Sequence, residues 1–216
     1  MLVTCWSSKG GAGTSVVVAA LARLAAAQDG GRGALIADLA GDAPAVLGLP
    51  EPSGPGLVGW LGAGAEVPVD ALGRLEVPVA PGLALLPRGE GPLDGRRAAV
   101  LAALLAADPR TVVVDCGTVP SGAARVVAAS AERSVLVTRA CFLSLRRALA
   151  GSLRPTEVVL IAEPGRSLTR HDVATALGAP VVAVVEIDPA VARAVDAGLL
   201  ASRLPRGLAR ELRGVA

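Results

Sequence analysis

The residues best suited to chemistry crowd into one short stretch, Ser7-Ser8-Lys9-Gly10-Gly11-Ala12-Gly13-Thr14-Ser15. Gly10, Gly11 and Gly13 let the backbone turn tightly and approach a ligand more closely than side chains would permit. Thr14 and Ser15 carry hydroxyls to the start of an apolar-periodic segment, and the unpaired amides of a helix start suit an anion. A hydroxyl there is also an oxygen donor suited to Mg²⁺. Lys9 is the one lysine among 21 basic residues; all the others are Arg. Lysine is a compact point charge on a thin stem and arginine a broad planar fork, so a tight loop that keeps lysine in an arginine-rich chain selects the compact charge. The chemistry this pattern suits is phosphate binding. A turn needed only to reverse the chain would require glycine, but neither the lysine nor the hydroxyl pair.

Two further stretches carry carboxylates. In TVVVDCGTVPSGAA, residues 111–124, Asp115 ends an apolar run, where it can hold Mg²⁺ directly or through water, or else cap the next helix. In ALIADLAGDAPAVLGL, residues 34–49, Asp38 and Asp42 flank Ala40. Cys5, Cys116 and Cys141 lie in or beside apolar runs without metal-site or disulfide spacing, and read as buried thiols. His171, the single histidine, sits in the polar pattern LTRHDVATAL and is given no role. Arg146 and Arg147, and Arg203, Arg206, Arg210 and Arg213 of the tail, are of a type that contacts DNA phosphates. The mixed charge around them and the lack of stacking aromatics favour a solvated face.

These residues need elements to position them. Short β-branched runs at 2–6, 34–38, 111–115, 134–138, 157–162 and 181–187 predict strands buried on both faces, with 83–87 as a further strand. Helical patterns fall between them at 14–27, 95–107, 121–131, 142–150, 169–177 and 189–197. The alternation predicts an α/β fold, a doubly wound and mainly parallel sheet with helices on both faces. At 216 residues the chain reads as a single domain, 1–216, with an irregular Gly/Pro-rich segment at 41–92. Trp60, Leu57/Val58 and Leu85/Leu86 predict short ordered pieces inside that segment. Hydrophobic content of 52% comes without an apolar run long enough to span a membrane, and no basic and apolar leader opens the chain, so the expected location is cytoplasmic. The net charge of +2 does not by itself imply nucleic acid.

KGGAGTS resembles the deviant Walker A motif of the MinD/ParA family of P-loop ATPases, whose pattern is Lys-Gly-Gly-any-Gly-Lys-Ser/Thr. The resemblance implies ATP or ADP with Mg²⁺, held by Lys9, Gly10, Gly11, Ala12, Gly13, Thr14 and Ser15, with Ser15 and Asp115 at the metal. It makes Lys9 the residue that crosses to the partner's phosphates in a nucleotide-dependent homodimer. The second lysine of the pattern, which cradles the phosphates of its own subunit, is replaced by Thr14. CGTVPSG resembles the family's switch II loop, and 34–49 its switch I with an Asp-x-Asp pair. Asp38 matches the first carboxylate of that pair, Ala40 replaces the second, and Asp42 stands two residues on as a substitute. SVLVTRACFLSLRRA and VVAVVEIDPAVARAVDAGLL are similar to later strand–helix units of the family.

The Lys-to-Thr change also resembles the TadZ/CpaE branch, which localises pilus machinery, and related septum-site proteins. The function implied is a nucleotide-dependent positioning or scaffolding factor for a division site, cell pole, pilus or DNA partition complex. It would work with a protein partner, and its hydrolysis would be weak or absent. A slow active ATPase and a nucleotide-free interaction module are the alternatives. MinD ends in a membrane-targeting helix. Here Leu208, Leu212 and Val215 share one face of a short, glycine-interrupted tail, which predicts packing on the body of the domain in place of membrane contact.

Overall fold

Val, Ile and Leu runs become strands where both faces are covered, because branched side chains pack well on a pleated surface. The computed structural model describes residues 1–28, 32–64 and 68–216. Residues 65–67, inside the Gly/Pro-rich segment, and 29–31 lie outside the described residues. In chain order the elements are β1 (Leu2–Ser7), α1 (Thr14–Gln28), β2 (Ala34–Asp38), α2 (Ala43–Leu47), α3 (Gly56–Gly62), β3 (Val77–Ala80), β4 (Leu83–Leu86) and α4 (Ala98–Ala107). They continue with β5 (Thr111–Thr118), α5 (Gly122–Ser130), β6 (Arg133–Arg139), α6 (Phe142–Ala150), β7 (Glu157–Ala162), α7 (Arg170–Leu177), β8 (Val181–Glu186), α8 (Pro189–Asp196) and α9 (Arg206–Leu212).

The strands form one sheet in the order β3-β4-β2-β5-β1-β6-β7-β8, parallel throughout except for β3, which runs antiparallel to β4 at the edge. Alternation along β1 divides the core. Leu2 and Trp6 join the side chains of α3 to α7 on one face, whereas Val3 and Cys5 join those of α1, α2 and α9 on the other. Every residue of β1 is buried, and Trp6 Nε1 donates to Ser134 Oγ at 3.0 Å, so the central strand carries no unpaired indole.

The irregular segment contains the ordered pieces expected of it. Leu57 and Trp60 of α3 are buried, as are Leu85 and Leu86 of β4, while Val58 is only half-buried. Strand β3 was not visible in the sequence, because Pro78 interrupts its short apolar run. A proline is tolerated there because the strand is at the sheet edge. The tail packs on the body: Leu208, Leu212 and Val215 are 2%, 0% and 2% exposed, beside α1 and β8. No described helix is long and apolar enough to cross a membrane.

The topology decides where a ligand can sit. β1 lies between β5 and β6, so the chain leaves β1 toward one half of the sheet and later fills the other half. In parallel sheets this reversal opens a crevice beyond the carboxyl ends of the strands. The loop after β1, Asp38 at the end of β2 and Asp115 on β5 all converge on that edge, with Asp38 and Asp115 paired across the ladder.

Candidate functional site

Gly11 and Gly13 adopt φ of +74° and +83°, the left-handed region that glycine enters without steric cost, and they carry the chain from β1 into α1. The first helical bond runs from the Val17 amide to the Gly13 carbonyl at 3.0 Å. The amides of Thr14, Ser15 and Val16 therefore have no partner one turn earlier, and they form the open, partly positive N-terminus of α1. A cleft of about 800 Å³ opens over them, walled by Gly11–Val16, Ala40, Asp42 and the Gly117–Ser121 loop. Gly117 makes the close approach between the two facing loops possible: a Cβ there would lie 3.3 Å from that of Ala40.

Asp115 lies beneath the cleft, fully buried. Its Oδ1 accepts the Gly117 amide at 2.9 Å, while the buried Oδ2 has no hydrogen-bond partner among the described residues. Burial pushes its pKa up to about 6. The Ser15 hydroxyl and the Gly117 amide act against that rise, and the charges of Asp38 and Asp42 add to it. Asp115 does not cap the next helix, whose N-cap is Ser121. A buried carboxylate oxygen without a partner, close to a helix-start hydroxyl, is a donor set that Mg²⁺ fits. Among the described residues no cluster of three His, Cys, Asp or Glu forms a protein cage. Mg²⁺ often keeps waters and phosphate oxygens in its shell and takes only one or two protein ligands.

Asp38 is committed differently. Its Oδ1 accepts the Ala40 and Gly41 amides at 2.9 and 2.7 Å, and its Oδ2 the Ala43 amide at 3.0 Å. Burial raises its pKa, and those three amides offset part of the rise. The carboxylate thus holds the turn into α2, which presents Ala40 and Asp42 to the cleft. Asp42 is exposed on the cleft wall, and its side chain makes no capping bond.

Lys9 and Gly10 are not on this wall. They face a smaller pocket on the other side of the loop, with Arg139 and Ser144. Lys9 is exposed and forms no hydrogen bond or ion pair among the described residues. Arg139, at the end of β6, donates to the Gly11 carbonyl and pairs with Glu163, which also pairs with Arg166. In a trans peptide the carbonyl and the following N–H point in opposite directions. Drawing the Gly11 carbonyl outward therefore aims the Ala12 amide into the cleft. Ser8 ties the loop further, its hydroxyl donating to the Ser144 carbonyl at 2.8 Å.

Of the three thiols, Cys5 and Cys116 are buried, while Cys141 is only half-buried and caps α6. Burial raises the Cys141 pKa, but the Ser144 hydroxyl and amide and the Lys9 and Arg166 charges outweigh it and leave the thiol below its usual value. His171, Arg146 and Arg147 are exposed on helices away from the cleft wall; the tail arginines 203, 206, 210 and 213 are also exposed and away from it, Arg206 and Arg210 on α9 and Arg203 and Arg213 just outside it. Sequence reasoning missed Arg88, Arg139 and Val119. Val119, on the cleft wall, holds φ of +49°, rare for a β-branched residue, and donates to the Ser7 carbonyl at 2.7 Å.

No protein-family model and no curated protein matches the chain. Solved structures do. A ParA family ATPase from Chlorobium tepidum TLS is 19% identical with a TM-score of 0.77, the match covering 98% of this chain and 97% of that one. The septum site-determining protein MinD of Pyrococcus horikoshii OT3, solved with Mg-ADP, is 21% identical with a TM-score of 0.77 over 100% of this chain and 94% of that one. The cell division ATPase MinD of Pyrococcus furiosus is 23% identical with a TM-score of 0.76 over 100% and 99%. At these identities the likeness establishes the fold.

Proposed function

We propose that this chain, whose fold is that of the MinD and ParA ATPases, binds ATP with Mg²⁺ and uses it to set conformation and association, as a positioning or scaffolding factor with little turnover. The observation that carries the reading is the unpartnered Asp115 Oδ2 beside Ser15, below a cleft whose floor is a glycine loop with free helix-start amides. Phosphates would lie against those amides, and the Ser15 hydroxyl and Asp115 would hold the metal. Bound there, Mg²⁺ supplies positive charge that the loop lacks. Thr14 offers a hydroxyl where a cation would stabilise the transition state, and Ala40 offers no group to orient a water. Slow or absent hydrolysis follows from both.

The test is calorimetric titration with ATP and ADP, with and without Mg²⁺. Saturable, Mg²⁺-dependent ATP binding with phosphate release well below about 1 s⁻¹ is expected. No heat at millimolar ATP overturns the reading. A second reading, a slow ATPase, is favoured by the exposed Asp42 on the cleft wall. Steady phosphate release that Asp42→Asn abolishes while binding persists would select it.

A further inference from the structure

The cleft has an unusual charge balance. Asp42 lines it, Asp115 lies below it, and the loop contributes no cation, since position 14 is Thr and Lys9 faces the other side. One basic side chain reaches its wall among the described residues: Arg88, from the turn after β4. Its stem passes over the turn that Asp38 holds, the Cδ lying 3.3 Å from where a Cβ on Gly41 would be. It is half-buried between the cleft and a second pocket that includes Asp38, Glu51 and Glu90, yet it forms no ion pair with any of these among the described residues. Instead Nη1 donates to the Gly89 carbonyl at 3.0 Å and Nη2 to the Gly91 carbonyl at 2.7 Å.

We infer that Arg88 is the phosphate-facing cation of this cleft, supplied in cis from the β4 turn. The inference rests on the nucleotide reading and names a residue for it. A guanidinium has five N–H donors, and the two carbonyl bonds leave others to point at a ligand. Those bonds hold it to neutral acceptors within its own glycine-containing turn. A phosphate oxygen is a charged acceptor and binds such a donor about twice as strongly, so a phosphate entering the cleft draws Arg88 toward it. What the site requires of Arg88 is its positive charge, which a lysine would also supply. Without Arg88, a polyphosphate would meet carboxylates, hydroxyls and amides on this wall, and no cationic side chain among the described residues.

The experiment compares wild type, Arg88→Gln and Arg88→Lys by calorimetric titration with Mg·ATP at two salt concentrations, with circular dichroism to confirm folding. Arg88→Gln is expected to weaken ATP about tenfold and to flatten its salt dependence. Arg88→Lys, which keeps the charge but loses the fork to Gly89 and Gly91, should stay within about threefold of wild type. ATP affinity for Arg88→Gln within about twofold of wild type overturns the inference and leaves the nucleotide reading standing. So does an equal loss in Arg88→Lys, because Arg88 would then serve only to brace its turn. If wild type itself binds no ATP, the nucleotide reading falls and the Arg88 assignment with it.

Discussion

Asp115 and Val119 both hold unfavourable states at the cleft, and each predicts a stabilising substitution. The Asp115 carboxyl keeps its proton up to about pH 6 in the fold, whereas an ordinary aspartate loses it near pH 4. Between those values the folded state binds more protons than the unfolded one, so this group's contribution to stability declines as pH rises and remains a cost above pH 6. Asp115→Asn should therefore raise apo stability at pH 7.5 by up to about 3 kcal/mol and flatten the decline between pH 4 and 6, as read by denaturant unfolding. The same variant should lose the Mg²⁺-dependent part of ATP binding. A variant less stable than wild type at pH 7.5 would show that the carboxylate is already compensated. Val119 in the left-handed region costs about 1 kcal/mol that Asn, which tolerates this region, does not incur. Val119 is 62% exposed, so little packing is lost; Val119→Asn should raise the melting temperature by about 2–4 °C, and a fall would mean that the left-handed turn costs the valine less than this.

At the scale of elements, what was legible follows the physics of covered strands. The runs at 2–6, 34–38 and 111–115 could be read because they are buried on both faces, and the loop could be read because a tight turn from strand to helix needs glycine at positions of positive φ. The ends of Asp38's story were not legible: a carboxylate that accepts three amides and one that serves chemistry look the same in sequence. Arg88 and Arg139 were hidden for another reason. Both are among many arginines, and only the topology brings β4 and β6 to the loop's two sides. The Arg139 brace makes an element-level prediction. With Arg139→Gln, the Gly11 carbonyl loses its anchor and the Ala12 amide its fixed direction, so hydrogen exchange across residues 10–13 of the apo protein should quicken about tenfold while α1 beyond Val17 stays protected. Unchanged exchange in the loop would mean that Ser8 and the sheet hold it without the arginine.

For the whole molecule, the position of Lys9 yields a prediction about association. It is exposed, has no ion-pair partner among the described residues, and lies across the loop from the cleft that would hold its own chain's phosphates. A lysine so placed adds little to binding within one chain, and its unpaired, solvent-screened charge gains most when phosphate arrives from an opposing copy and excludes that solvent. Two chains facing each other across a two-fold axis would each receive the other's lysine, which couples nucleotide to association in a closed dimer. Light scattering across nucleotide states should then find a dimer with Mg·ATP and a monomer with Mg·ADP. Lys9→Ala should leave monomer affinity for ATP within about twofold while weakening the dimer at least about tenfold, the loss of one charge-assisted contact on each side. Lys9→Arg should not restore the dimer, because the broad fork does not follow the thin path of the lysine stem. A monomer at saturating ATP, or a dimer equally strong in Lys9→Ala, would assign the single lysine of this chain to the pocket it shares with Arg139 and Ser144 and not to a partner.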